Sequence, residues 1–273
     1  MSTPADRPGG RAAVGHVGVL VPVRDEELLL PGCLRALAGS AEALLRARPG
    51  TAVTVVVVLD GCADGSREVA RASIWPPGVR LDLLSTGARG VGAARAAGAA
   101  LLLDRAREVG AAAEATWLAG TDADSAVPRP WLLAQLEAAE RGADAWVGTV
   151  ELSSAHPAGS PQARLAARWS SHQRHHEDHD HVHGANLGVR ASAYLAAGGY
   201  PAVLTGEDVQ LVDRLQAGGA VLVRTAAHPV VTSDRCAGRA PDGVAADLAE
   251  LAGLIGTGDA AHVVGPGEAA EAS

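Results

Sequence analysis

The chain has 273 residues, 48% of them hydrophobic, and a formal charge of −8. This length and composition suit a globular body with a sizeable core, as one large α/β domain or two small ones. An acidic balance without basic blocks or basic-aromatic interleaving gives no general attraction to nucleic acid or anionic lipid, so nucleic-acid binding is disfavoured.

Aromatic residues make up 3% of the chain and Phe is absent, so the core must be built from Ala, Val and Leu. Cys33, Cys62 and Cys236 are odd in number and widely spaced, which fits reduced thiols in a cytosolic protein better than a disulfide framework. The longest apolar runs have strand length and no apolar leader is evident. A cytoplasmic protein without a transmembrane segment is therefore expected, with peripheral membrane contact left open.

Small and polar residues at 1–14 and 256–273 read as flexible tails flanking a folded body at 15–255. An apolar run at 17–23 predicts a strand. Leu34, Leu37, Ala41, Leu44 and Leu45 then recur at helical spacing, with Pro31 near the start and Gly50 beyond the end. Further strands are expected at 53–59, 79–84, 116–119 and 145–152. Helices are expected at 66–73, 91–109, 130–141, 162–176 and from Gly206 to near Gly218, while apolar strands lie beside His183 and His228 without set bounds. Alternating strands and helices imply a mostly parallel sheet covered on both faces, whose ligands bind beyond the carboxyl ends of the strands.

Acids stand at those ends. Asp25-Glu26 follows the first strand, Asp60 ends the second, and Asp122-Ala-Asp124 follows the fourth. An exposed pair such as Asp122 and Asp124 suits a hard divalent cation that also binds phosphate oxygens, although acids in such turns also serve as plain caps. Asp60 reads as a nucleobase N–H acceptor or as a turn residue. The glycine-rich stretch 86–95 opens a helix but is a poor dinucleotide fingerprint, because its third glycine position falls on Arg95. Arg89 and Arg95 are candidates to neutralise a diphosphate, or else partners of nearby acids. Asp208, after Glu207, is either a helix cap or a proton acceptor. His172, His175, His176, His179, His181 and His183 crowd one segment without H-E-x-x-H, and read as a polar loop or a zinc site; His228 reads as a metal ligand or a core histidine.

In order, VPVRDEE, VVVVLDGCADGS, the stretch to GAARAAG, TDAD with PRPWL, HGANLGVRASAYLAAGGYP and GEDVQLVDRL resemble family 2 glycosyltransferases of the GT-A fold. The resemblance spans roughly residues 17–215. It implies a single Rossmann-like domain over 15–255, with a nucleotide-binding half at 15–125 and an acceptor-binding half at 126–255. It further implies that Pro22 and Glu26 border the nucleotide, Asp60 contacts the base and Asp122 sits near ribose and metal. Asp124 would bind Mg²⁺ or Mn²⁺, and Glu207 would belong to the donor site beside Asp208, the general base. Gly184, Ala185 and Asn186 would line the sugar and acceptor pocket, and His228 would add a metal ligand. Thr232-Ser233-Asp234-Arg235 and Gly238-Arg239 resemble a segment of bacterial relatives that would touch donor phosphates or acceptor.

The chain departs from the family in having Leu59 before Asp60, where two consecutive acids are frequent. The Q/R-x-x-R-W motif of processive synthases is missing, which favours transfer of one sugar from a UDP- or GDP-sugar to a small-molecule, lipid or glycan acceptor. The rivals are a nucleotidyltransferase, disfavoured by the lack of any lysine, and a zinc hydrolase built on the His172–His183 cluster.

Overall fold

The structure, a computed structural model, describes residues 12–153, 157, 159–173 and 179–235. The expected tail at 256–273, Cys236, Gly238 and Arg239, most of the expected tail at 1–14, and His175 and His176 lie outside these residues, as does the side chain of His172.

Eight strands form one sheet: β1 (His16–Val23), β2 (Ala52–Asp60), β3 (Val79–Thr86), β4 (Thr116–Gly120), β5 (Ser125–Ala126), β6 (Ala145–Leu152), β7 (Leu187–Arg190) and β8 (Leu222–Thr232). Among the described residues, seven α-helices accompany them: α1 (Leu30–Ala47), α2 (Ser66–Arg71), α3 (Val91–Glu108), α4 (Trp131–Glu140), α5 (Pro161–Gln173), α6 (Ala191–Ala196) and α7 (Glu207–Ala217). The strand order is β3-β2-β1-β4-β7-β6-β8-β5. The first four strands are mutually parallel, as expected. β7 then runs antiparallel to both β4 and β6, β8 is parallel to β6, and β5 is antiparallel to β8. A short buried apolar run such as Leu187–Arg190 has no directional signature, so its reversal was not readable from pattern.

The β1 and β2 residues are nearly all buried because the parallel strands are covered on both faces. Val17, Val19, Val21 and Val53, Val55, Val57 join Leu34, Leu37, Leu44 and Trp131 in one apolar layer. Leu20, Val56 and Val58 point the other way, to Leu102 of α3 and to Leu211 and Leu215 of α7. Gly98 lets α3 approach closely, since a Cβ there would lie 2.1 Å from Leu20 Cδ1. Pro31 starts α1, where a missing N–H costs nothing, and Pro130 is the N-cap of α4, which runs Trp131–Glu140 within the expected 130–141. No described helix is long and apolar enough to cross a membrane.

Candidate active site

The carboxyl ends of β1, β2 and β4 face one crevice edge, and their loops hold one another. Asp25, at φ 53°, accepts the Ala63 N–H at 2.7 Å, and Asp64 accepts those of Glu27 at 2.9 Å and Ser66 at 3.0 Å. Glu27 returns a bond, accepting the Gly65 N–H at 2.8 Å, and the Ser66 hydroxyl accepts the Glu26 N–H at 2.8 Å. Desolvation alone would raise the Asp64 carboxyl; its hydrogen bonds to Ser66 and Glu27 outweigh that and leave the pKa below the usual range. Candidate ligand atoms of Asp25, Cys62 and Asp64 lie within 4.8 Å of one another. Both carboxylates there already bond loop N–H groups, so the cluster acts as a clasp that fixes Glu26.

Pro22 is half-buried in β1 opposite Val58. Asp60 is 3% exposed, and its carboxylate accepts the Thr86 hydroxyl at 2.7 Å and the N–H groups of Arg89 and Gly90 at 3.0 Å each. Both oxygens thus bind the loop that enters α3, where Ala88 is held at φ 51°. The structure gives Asp60 this loop-fixing role; Arg89 contributes its N–H while the residue remains exposed.

Arg95, on α3 and 1% exposed, is the hub of the site. Its Nη2 pairs with Asp122 Oδ1, its Nε lies 2.9 Å from Glu207 Oε1, and its Nη1 donates to the Gly184 carbonyl at 3.1 Å. The Tyr200 ring lies beneath the guanidinium, 6.0 Å from centroid to Cζ. Burial by itself would lower the Arg95 pKa, and Asp122 and Glu207 reverse this to keep it above its ordinary value. Arg95 and Glu207 are therefore bound to each other inside the protein, and the buried arginine is turned toward acids of its own chain.

Desolvation pushes the Asp122 carboxyl up to about 6, against the pull of Arg95 and with like charge from Asp124, Glu207 and Asp208. Four acids from two separate segments thus feel one another at the end of β4. The two-residue pairing of β5 with β8 sets Ser125 opposite Thr232 and brings the chain beyond β8 over Asp124. Arg235 Nη2 there lies 2.6 Å from Glu26 Oε1 and 2.8 Å from Asp124 Oδ2. Asp124 Oδ1 also accepts the Ser125 hydroxyl at 3.3 Å. Both carboxylates are hard oxygen donors, the ligand type that suits Mg²⁺ or Mn²⁺, and here they hold a guanidinium.

Gly206, at φ 74°, turns the chain into α7 and places Asp208 in its first turn. Asp208 Oδ2 accepts the Gly184 N–H at 2.6 Å and Oδ1 the Val209 N–H at 2.9 Å. Gly184, Ala185 and Asn186 are all buried. Asn186 departs from the expected pocket role. Its Oδ1 accepts Trp131 Nε1 at 2.8 Å and Trp146 Nε1 at 3.2 Å, while its Nδ2 donates to the Thr149 and His228 carbonyls at 2.9 and 3.0 Å. Every polar valence of that fully buried amide is spent on the core. His228 stacks on Trp146 with centroids 6.1 Å apart, and its ring is not gathered within 4.8 Å of both Asp122 and Asp124.

His179, His181 and His183 stack at centroid spacings of 6.1 and 6.0 Å, and His183 leans on Trp169. Among the described residues these imidazoles do not form a group of three ligand atoms within 4.8 Å; His175, His176 and the side chain of His172 lie outside those residues. His179 instead bridges the His181 and Thr225 carbonyls. Sequence reading missed the loop clasp and the pairing of Arg95 with Glu207; the spacing of Arg95 and Glu207, over a hundred residues, carried no signal.

The sequence profile described as Glycosyl transferase family 2 matches residues 18–192. Comparison with curated proteins finds no significant match. Among solved structures, the fold resembles Staphylococcus aureus TarS 1-349 in complex with UDP-GlcNAc, at 13% identity, TM-score 0.55, 88% coverage of this chain and 66% of that one. It also resembles the mannosyltransferase PcManGT from Pyrobaculum calidifontis in complex with GDP-Man and Mn²⁺, at 18% identity, TM-score 0.54, and coverage of 85% and 61%. The chain spans less than two thirds of either structure, and at such identities the likeness shows a shared fold.

Proposed function

The chain belongs to glycosyl transferase family 2, and from that premise we propose that it moves one sugar from a UDP- or GDP-sugar to an acceptor hydroxyl with inversion. The observation that carries this reading is the convergence of Asp122, Asp124 and Asp208, with Glu26 joined to Asp124 through Arg235, at the carboxyl edge of the sheet, where open α/β sheets bind ligands. The donors bound by TarS and PcManGT, UDP-GlcNAc and GDP-Man, support a nucleoside-diphosphate sugar.

Asp124, supported by Asp122, would hold Mg²⁺ or Mn²⁺, which supplies a Lewis acid for the negative charge developing on the departing diphosphate. Asp208 takes the acceptor hydroxyl's proton as that oxygen attacks the anomeric carbon from the face opposite the leaving group. The new carbon–oxygen bond forms as the bond to the diphosphate breaks. Gly184 N–H orients the Asp208 carboxylate for this task. Arg95 keeps Asp122 and Glu207 compensated in the floor of the site, which holds its geometry without reorganisation.

A thermal-shift panel of UDP, GDP and their sugar conjugates, with and without Mn²⁺, tests the reading, because a ligand that binds only the folded state stabilises it by about 2.7 kcal/mol at a hundred times Kd. One nucleotide should raise Tm only with Mn²⁺, and Asp124→Ala should abolish that rise. No response to any nucleotide, or an unchanged metal-dependent rise in Asp124→Ala, refutes it.

A further inference from the structure

Arg235 reaches the acid site from beyond β8, on the far side of the sheet order from β1, and one of its nitrogens touches acids from two loops at once. The 2.6 Å and 2.8 Å contacts to Glu26 and Asp124 make it the positive group that bridges these two acids. Its side chain is 35% exposed while those of Glu26 and Asp124 are 10% and 20% exposed, so the arginine enters from the solvent side onto more buried carboxylates. Arg95 cannot serve that purpose, being spent on Asp122 and Glu207.

We propose that Arg235 is an internal competitor of the divalent cation: in the donor-free protein it holds Asp124, and binding of the metal–nucleotide complex displaces it onto the diphosphate. This deepens the proposed metal-dependent transfer and rests on that reading. A cation bound to Asp124 Oδ2 and a guanidinium at 2.8 Å from the same oxygen repel each other, with two positive charges a few ångströms apart. A diphosphate removes the conflict because it accepts the planar guanidinium as a bidentate partner. Free metal therefore binds weakly, whereas metal and nucleotide bind together, which ties cation uptake to the presence of donor. Glu26, freed of Arg235, turns from an ion-pair partner into an acid lining the nucleotide crevice.

The test measures Mn²⁺ binding directly, by the paramagnetic resonance signal of free Mn²⁺, in the full chain without nucleotide and with UDP or GDP. Arg235→Gln should bind Mn²⁺ roughly ten-fold more tightly than wild type without nucleotide, since one competing charge is gone. Its gain from added nucleotide should shrink by a comparable factor. Arg235→Lys, a compact cation, should keep most of the wild-type weakness, and Asp124→Asn added to Arg235→Gln should erase the gain. Equal Mn²⁺ affinity in wild type and a folded Arg235→Gln, with nucleotide-assisted binding intact in both, overturns the competition while leaving the transfer reading standing. Absence of Mn²⁺ binding in both proteins even with nucleotide overturns the metal reading and this inference with it.

Discussion

The two halves of the sheet meet the same crevice by different means. On the β3-β2-β1-β4 side, acids sit in short loops directly after parallel strands, and those loops bond one another through Asp25, Asp64, Glu27 and Asp60. On the β7-β6-β8-β5 side, the groups facing the site arrive singly: Gly184 before β7, Asp208 at the start of α7, Arg235 after β8. The first half is a braced frame, and the second supplies individual groups whose positions hang on one or two bonds. The division suits the proposed transfer, since binding and catalytic groups work best when positioned by a rigid scaffold.

The sharpest break of the comparison is Asp208→Asn, which removes a lone group of the second half. Turnover should fall by about 10² to 10⁴ with metal-dependent nucleotide binding retained, as for loss of a general base. Single-turnover transfer alongside nucleotide titration checks it, and full turnover would refute the assignment. Next is Arg95→Met, which strikes the hub joining both halves. Leaving Glu207 buried without its cation, beside the part-exposed Asp122, should cost about 3–5 kcal/mol in urea unfolding. A loss below about 1 kcal/mol would show that the acids simply protonate, as the raised Asp122 pKa makes easier.

A third effect belongs to the frame alone. Burial lowers the His16 pKa from 6.5 to about 4 in β1. The folded state thus refuses a proton that the unfolded chain accepts, so this contribution is present above pH 6.5 and is lost as pH falls toward 4. Unfolding free energy measured across that window should decline, and His16→Gln should flatten the slope; an unchanged slope would assign the decline elsewhere. The smallest change is Asp64→Ala, which removes two loop bonds at an exposed edge. It should cost about 1 kcal/mol and speed hydrogen exchange at the Glu27 and Ser66 amides. Unaltered exchange there would mean that the clasp does not brace Glu26.

The first half was legible because its signals are local. Val17, Val19 and Val53 to Val57 announce buried strands, and an acid following such a run lands at a carboxyl end wherever the strand lies in the sheet. Asp124 was readable as a candidate on the same ground, and Asp208 from its place at a helix start. Asn186 misled because its motif lies beside the site while its side chain turns into the core between Trp131 and Trp146. His228, which the sequence left as a metal ligand or a core histidine, stacks on the Trp146 indole.

The sequence by itself determined most of the longer elements, the parallel arrangement of the first four strands, the family, and the acids at the strand ends, because each rests on periodicity or on short ordered motifs. Tertiary structure alone decided that Arg95 pairs with both Asp122 and Glu207, that Asp60 spends its oxygens on the loop into α3, and that Arg235 lies across Glu26 and Asp124. Those partners are 26 to 209 residues apart. Which charge meets which acid over such separations is set by strand order and direction, and the reversal at β7 leaves no mark in the hydrophobic pattern.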